Sequence, residues 1–254
     1  MSQIIPFLTI FRKEVNRFFR IWTQTLLPPV INQTLYFLVF GTFVGQVIGS
    51  IEGLTYIEFI IPGLVAMTIL NASFMNVVSS FFVAKFQRQV EELLVAPMTA
   101  HTIILGYTLA AMLRGVIVGV FVYITSQLFV FTRIENTTHL IFITLLSAFV
   151  FAQVGFLNAV FAKKFDDISI FPTFILRPLV YFGGVFYSIK HLPDFWQIIT
   201  KFNPIFYMVD GFRYGFFGVS EVQANHALFI LCLFAIIFYM INYALVHKGV
   251  RLKS

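Results

Sequence analysis

Six stretches of this chain are each long and apolar enough to cross a lipid bilayer, and this restricts the fold more than any motif does. They are residues 25–48, 57–83, 103–131, 139–162, 168–187 and 226–246. A crossing needs about 20 apolar residues, because the hydrocarbon layer is roughly 30 Å thick and a helix rises about 1.5 Å per residue. Water cannot satisfy backbone amides inside that layer, so such runs cross as helices. Residue usage agrees: hydrophobic residues are 59% of the chain and charged residues 11%, where a soluble domain carries about 25% charged residues. The net charge of +6 is dispersed in short clusters between the apolar runs, a pattern that suits a membrane topology and not nucleic-acid binding. The expectation is an all-α integral membrane protein, a single domain over 1–254 with no soluble domain on either side. The lone Cys232 excludes an intrachain disulfide. Arg12 follows the apolar start, the reverse of secretory-signal order, so no cleavable signal peptide is expected.

The segment before the first run has a different character. Ile4, Leu8, Phe11, Val15, Phe18 and Trp22 share one helical face, and Arg12, Lys13, Asn16, Arg17 and Arg20 share the other. Residues 1–24 therefore read as an amphipathic helix in the plane of the interface. Six crossings put both termini on one side. That side holds Arg12, Lys13, Arg17, Arg20, Lys85, Arg88, Lys163, Lys164, Lys248, Arg251 and Lys253, and the other only Arg133, Lys190, Lys201 and Arg213. The excess of positive charge makes both termini cytoplasmic. The main cytoplasmic loop is 84–102, with a helix expected over 85–97 that Pro97 stops. The main external segment is 188–224.

Within that external segment, residues 201–215 read KFNPIFYMVDGFRYG. Asn203 can cap a helix and Pro204 supplies the fixed φ of its first turn. Phe206, Val209 and Arg213 follow at helical spacing. Asp210 and Arg213, three apart, are expected to pair along it. The fifth run is broken by Pro172 and Pro178 and loosened by Gly183 and Gly184. Carbonyls freed there must face protein or a water-filled cavity. Arg177 lies between the prolines, and an intramembrane arginine marks either a functional site or a helix anchor. Arg114 is read as snorkelling toward the cytoplasmic face. The glycine spacings at 41, 45 and 49 and at 115 and 119 suit close packing, between copies or within the chain.

Enzymatic constellations are missing. The five histidines are scattered at span ends, there is no GxxxxGK[ST] loop and no GxSxG elbow. Asp166 and Asp167, beside Lys163 and Lys164, read as charge-balanced loop residues. No metal site is expected.

The chain resembles the permease subunits of type-2 ATP-binding-cassette exporters, the ABC-2-type permeases. The resemblance covers nearly the whole chain. Glu91-Glu92-Leu93-Leu94-Val95-Ala96-Pro97 is similar to the family's coupling helix, and Pro62-Gly63-Leu64 to the start of its second span. Pro178-Leu179 and Gly183-Gly184-Val185-Phe186-Tyr187 resemble its fifth span, and Asn203-Pro204 through Asp210 and Arg213 its external segment. The family's glycine-threonine pair ahead of the coupling-helix glutamate is replaced by Gln89-Val90.

The resemblance implies a fold of six transmembrane helices with an N-terminal interfacial helix, and short external re-entrant helices over 188–222. It also implies a homodimeric exporter in a bacterial inner membrane. Two separate ATPase subunits would carry the ATP and Mg, with no cofactor on this chain. Residues expected to couple to the ATPase are Arg12, Arg17, Arg88, Glu91, Glu92, Leu93 and Pro97. Residues expected at the pathway or its outer gate are Arg177, Pro178, Gly183, Gly184, Tyr187, Asn203, Pro204, Tyr207, Asp210 and Arg213. The substrate would be a lipid, a polysaccharide or lipid-linked molecule, or another hydrophobic compound. The 34 phenylalanines face acyl chains or line an apolar path. Two other readings are an ion-coupled carrier and a membrane transferase. The first wants acidic residues within the spans and the second a cluster of His, Asp or Glu at a span end.

Overall fold

A computed structural model describes residues 3–252; Lys253, counted above among the basic residues, lies outside the described residues. The chain starts with α1 (Ile4–Arg20), a helix with both faces committed. Its buried residues are Ile10, Glu14 and Phe18, while Ile4 and Ile5 are 66% and 71% exposed. The apolar stripe seen in the sequence thus faces outward for much of its length. A neighbouring stripe, containing a buried glutamate, faces the bundle.

Among the described residues, five helices are long and apolar enough to cross a membrane: α2 (Trp22–Ile48), α3 (Tyr56–Phe86), α5 (Ala100–Ser126), α6 (Thr137–Phe161) and α10 (Ala224–His247). Each matches one of the six apolar runs to within a few residues. The largest shift is at 127–131, where the chain leaves α5 and Gln127 closes a turn onto Thr132 (2.8 and 3.0 Å). Burial ranks the long helices. Within its apolar stretch α3 is 78% buried, against 11% for α2 and 22% for α10. The hub is therefore α3, wrapped by α5, α6 and the helices that follow them, with α2 and α10 on the perimeter.

Small residues set the closest approaches. A Cβ on Gly115 would collide with Ser73 Oγ, and one on Gly155 would lie 2.6 Å from the Phe74 carbonyl. The glycine pair at 115 and 119 thus seats α5 on α3 within one chain. A two-residue hairpin, β1 (Ser50–Ile51) with β2 (Leu54–Thr55), joins α2 to α3.

The fifth apolar run does not form one long helix. Residues 167–181 make α7, which contains a π-helical stretch at Pro172–Leu176 and then gives way to turns. At 1.5 Å per residue α7 spans about 22 Å, short of the hydrocarbon thickness. Pro172 leaves the Ile168 carbonyl without its i+4 donor, and Asn158 Nδ2 of α6 supplies one at 3.2 Å. Asp167 is the first residue of α7, and its carboxylate reaches back to accept from the backbone N–H groups of Lys163 (2.7 Å) and Lys164 (3.0 Å) in the turn before it.

Two short helices precede α10: α8 (Asp194–Lys201) and α9 (Pro204–Phe217). Asn203 caps α9, accepting from Ile205 N at 3.0 Å, and Gly218, at φ +66°, ends it. The helix is longer than the 203–213 signal and is almost wholly buried against α3, α6 and α10.

Candidate functional site

Three of the stretches that carry the resemblance, around Gly63, Gly183–Tyr187 and Asn203–Arg213, lie far apart in sequence and converge at one end of the bundle. Gly63 allows 183–185 to lie against α3, since a Cβ there would sit 3.0 Å from Val185 Cα and 3.1 Å from its carbonyl oxygen. Asn203 Nδ2 donates to the Leu179 carbonyl at 2.6 Å, clamping the start of α9 to the end of α7. Arg213, 1% exposed, donates to the Gly184 carbonyl at 2.9 Å, stacks on the Phe59 ring at 4.1 Å and pairs with Glu221 at 3.4 Å. The aromatic face and the carboxylate together make a buried guanidinium tolerable.

Asp210 does not pair with Arg213 along the helix. Its oxygens accept from the backbone N–H groups of Glu221 (2.7 Å) and Val222 (3.2 Å), which folds the loop after α9 back onto it. Glu221 is the partner that the sequence did not disclose. It lies eight residues beyond Arg213, across the Gly218 turn, where helical spacing gives no guide. Tyr187 and Tyr207 brace the same region through bonds to the Tyr181 (3.0 Å) and Lys201 (2.7 Å) carbonyls.

The hairpin between α2 and α3 joins this assembly through Glu52. Its carboxylate accepts from Ser188 Oγ at 2.8 Å and from Lys190 Nζ at 3.0 Å. Burial pushes the Glu52 carboxyl up, but these two donors outweigh burial and hold it below the ordinary value. The Lys190 ammonium is correspondingly raised, chiefly by its bond to Glu52.

Between the two ends, α2, α3, α5 and α7 border a cavity of about 570 Å³ that is open on one side, where Asn32, Asn71, Arg177 and Tyr181 are exposed. Asn32, Gln33, Asn71, Arg114, Arg177 and Tyr181 supply its polar lining, and no carboxylate lines it among the described residues. Arg114 does not snorkel. It turns inward and donates to the Thr25 carbonyl at 3.1 Å and to Asn76 Oδ1 at 3.3 Å. Asn76 also accepts from Arg17 (2.9 Å to its side chain, 3.2 Å to its carbonyl), and Arg17 pairs with Glu14 at 3.0 Å. A chain Glu14–Arg17–Asn76–Arg114 thus ties α1 to α3 and α5. Arg17 is committed to it, whereas Arg12 is exposed. Asn76 was legible only as a polar residue inside an apolar run. Arg177 is exposed and makes no hydrogen bond or ion pair among the described residues.

At the opposite end, the helix expected over 85–97 is two elements. The long helix α3 runs on to Phe86, and α4 (Gln89–Val95) follows a turn in which Arg88 takes φ +62°. Lys85 is not a loop residue: its ammonium is buried and donates to the carbonyls of Ala159, Val160 and Ala162 (3.2, 2.7 and 2.6 Å) at the end of α6. The loop 84–102 is bound to α1 at both ends. Lys13 Nζ donates to Gln89 Oε1 at 3.2 Å, and Gln3 donates to the Pro97 carbonyl at 3.2 Å. Gln3 also accepts from Thr99 N (3.1 Å) and Thr102 Oγ1 (2.9 Å). Ile10 packs on Gly106, where a Cβ would lie 2.7 Å from it. Glu92 and Pro97 are exposed and Glu91 and Leu93 half-buried. Gln89, part of the departure from the family pattern, is the residue that reaches α1.

Comparison with known proteins fits this arrangement. The model of the family described as ABC-2 type transporter matches residues 6–217. The chain is 48% identical to the inner membrane transport permease YadH of Escherichia coli strain K12, over 97% of this chain and 96% of that protein. It is 20% identical to nodulation protein J of Rhizobium meliloti strain 1021, over 95% of this chain and 92% of that protein. A similar protein with that name in Neorhizobium galegae is 20% identical over 97% and 95%.

Proposed function

The chain belongs to the ABC-2 type transporter family, and from that premise we propose that it is the membrane-spanning subunit of an ATP-driven exporter. Two copies form the pathway, and two copies of a separate ATPase polypeptide bind the ATP and Mg. The membrane is a bacterial inner membrane, α7 with the turns after it makes a sixth crossing, and both termini lie in the cytoplasm. The cargo is a lipid, a lipid-linked saccharide or another hydrophobic molecule.

The observation that carries this reading is the joining of α1 to 84–102. A subunit driven by an outside motor needs a firm element to receive the push. Here α1 is tied to α4 by Lys13 and Gln89, to the loop after α4 by Gln3, and to α5 by the Ile10–Gly106 contact. A push on α1 reaches α3 and α5 through Arg17, Asn76 and Arg114. The clamp at Asn203, Arg213 and Glu221 is then the outer gate. It holds the broken α7 with hydrogen bonds that exchange during opening without unfolding a long helix.

The test is co-purification with a separate ATP-binding-cassette ATPase subunit, followed by hydrolysis and transport assays in liposomes. The chain alone should hydrolyse no ATP. In the complex, Glu91→Lys with Glu92→Lys should separate hydrolysis from transport while insertion is kept. Unchanged coupling in that double variant would remove α4 from the assignment. Reporter fusions within 163–166 and within 188–224, which flank α7, should lie on opposite sides; one side for both would remove the sixth crossing.

A further inference from the structure

The cavity between α2, α3, α5 and α7 has a charge that nothing among the described residues neutralises. Arg177 follows the first residue of α7 by ten positions, about 15 Å along a helix axis and close to mid-depth in a 30 Å layer. A bare guanidinium at that depth is costly, and such residues persist where they meet a partner or a substrate. Arg177 has no partner among the described residues. Arg114, on the same cavity, spends two nitrogens on neutral oxygens and leaves Nε buried without an acceptor. The carboxylate of Glu14 is already paired with Arg17. The cavity therefore presents positive charge without a counter-charge. Its other polar lining is neutral, with the amides of Asn32, Gln33 and Asn71.

Each cheaper explanation leaves something over. An arginine that only anchors a helix reaches for the interface, yet Arg177 lines the same cavity as the inward-turned Arg114. One that only neutralises freed carbonyls would show a bond to one, and Arg177 shows none. A forked guanidinium donor with no partner of its own is what recognises phosphate or carboxylate. The rest of the lining includes apolar side chains, Met67, Met75, Leu176 and Val180, which suit the hydrocarbon part of the same molecule. Gln33 Oε1, buried and unbonded, is free to accept from a hydroxyl beside the charged group.

We propose that this cavity is the substrate-binding site, and that the substrate is an anionic amphiphile whose phosphate or carboxylate is held by Arg177 and Arg114. This rests on the permease reading for its purpose, though not for its chemistry.

The experiment places the full chain with its ATPase in phosphatidylcholine nanodiscs. It compares radiolabelled dioctanoyl phosphatidic acid with dioctanoylglycerol, two probes with the same tails that differ by the phosphate. The complex should bind the acid at least about tenfold more tightly, the loss expected for one charge-assisted hydrogen bond. Arg177→Gln should bring the two probes to within about twofold, and Arg177→Lys should keep the preference. Because Arg177 is exposed and unbonded, the Gln variant is expected to fold; its melting temperature, matched to wild type, verifies this. Inorganic phosphate in millimolar amounts should not displace the lipid.

Equal binding of the two probes to wild type, or an undiminished preference in Arg177→Gln, would overturn the proposal. So would displacement by inorganic phosphate at the lipid's own affinity, which would make the ligand a soluble anion. ATPase stimulation is read separately. Phosphate-dependent binding without stimulation leaves the site standing and counts against the exporter reading.

Discussion

At the scale of single residues, the outer clamp stands on a few side chains that each satisfy more than one group. Asn203 caps α9 with its oxygen and holds the Leu179 carbonyl with its nitrogen. Asn203→Ala should therefore cost the sum of a lost cap and a stranded carbonyl, about 2–3 kcal/mol. A lower midpoint in thermal unfolding of the purified protein would show it; an unchanged midpoint would mean that the clamp contributes nothing. Arg213→Ala should cost more, about 3–5 kcal/mol, because it leaves the buried Glu221 without its partner.

The Glu52–Lys190 bridge predicts a dependence on pH. The Glu52 carboxyl is held below its ordinary value of 4.5, so its contribution is full above that value and is lost as pH falls through the lower folded-state value. Lys190 is raised above 10.5, so its contribution is full below that and is lost only as pH rises through the higher value. Wild type should lose thermal stability on acidification from pH 5 to 3. Lys190→Met, measured over the same interval, should lose less.

At the scale of elements, the long helices were legible because each is a continuous apolar run, and a run longer than about 20 residues in a bilayer has one solution. The start of α9 was legible for a similar reason, since Asn203-Pro204 is a local signal. The break in α7 was foreseen from Pro172 and Pro178. Its consequence, a helix too short to cross alone, was not, because a run of apolar letters looks the same whether helical or turned. The partners of polar residues were the illegible part. Arg213 pairs with Glu221 and Arg114 with Asn76, and neither pair has a spacing rule. Likewise the buried face of α1 includes Glu14, which periodicity assigns to no face. Element packing gives a sharp test at Gly63. Gly63→Ala places a methyl about 3 Å from Val185 backbone atoms, which cannot yield as a side-chain tip would. It should cost about 1–3 kcal/mol and loosen the 183–185 segment. A cysteine at Tyr187 in a Cys232→Ser background should then react faster with an impermeant thiol reagent.

At the scale of the whole molecule, two tied ends enclose a charged middle. One end joins α1 to α4, and the other joins α7, α9 and the α2–α3 hairpin. If α1 and α4 move as one body, a reducible bifunctional thiol crosslinker joining Lys13→Cys to Gln89→Cys in a Cys232→Ser background should leave ATP-driven transport near its uncrosslinked rate. Abolition of transport by the crosslink, restored by reductant, would show that they must separate.

The burial of α3 has a further consequence for how the molecule is made. The helix that is most enclosed in the finished protein is the second long one to leave the ribosome, before α5, α6 and α9 exist to enclose it. It enters the membrane with Thr68, Asn71, Ser73 and Asn76 along its length. Of the two arginines that will hold Asn76, Arg17 has then been synthesised and Arg114 has not. The α1 helix is thus the earliest available escort for α3. Deleting α1 should expose α3 to quality-control proteolysis during synthesis, before any question of transport arises.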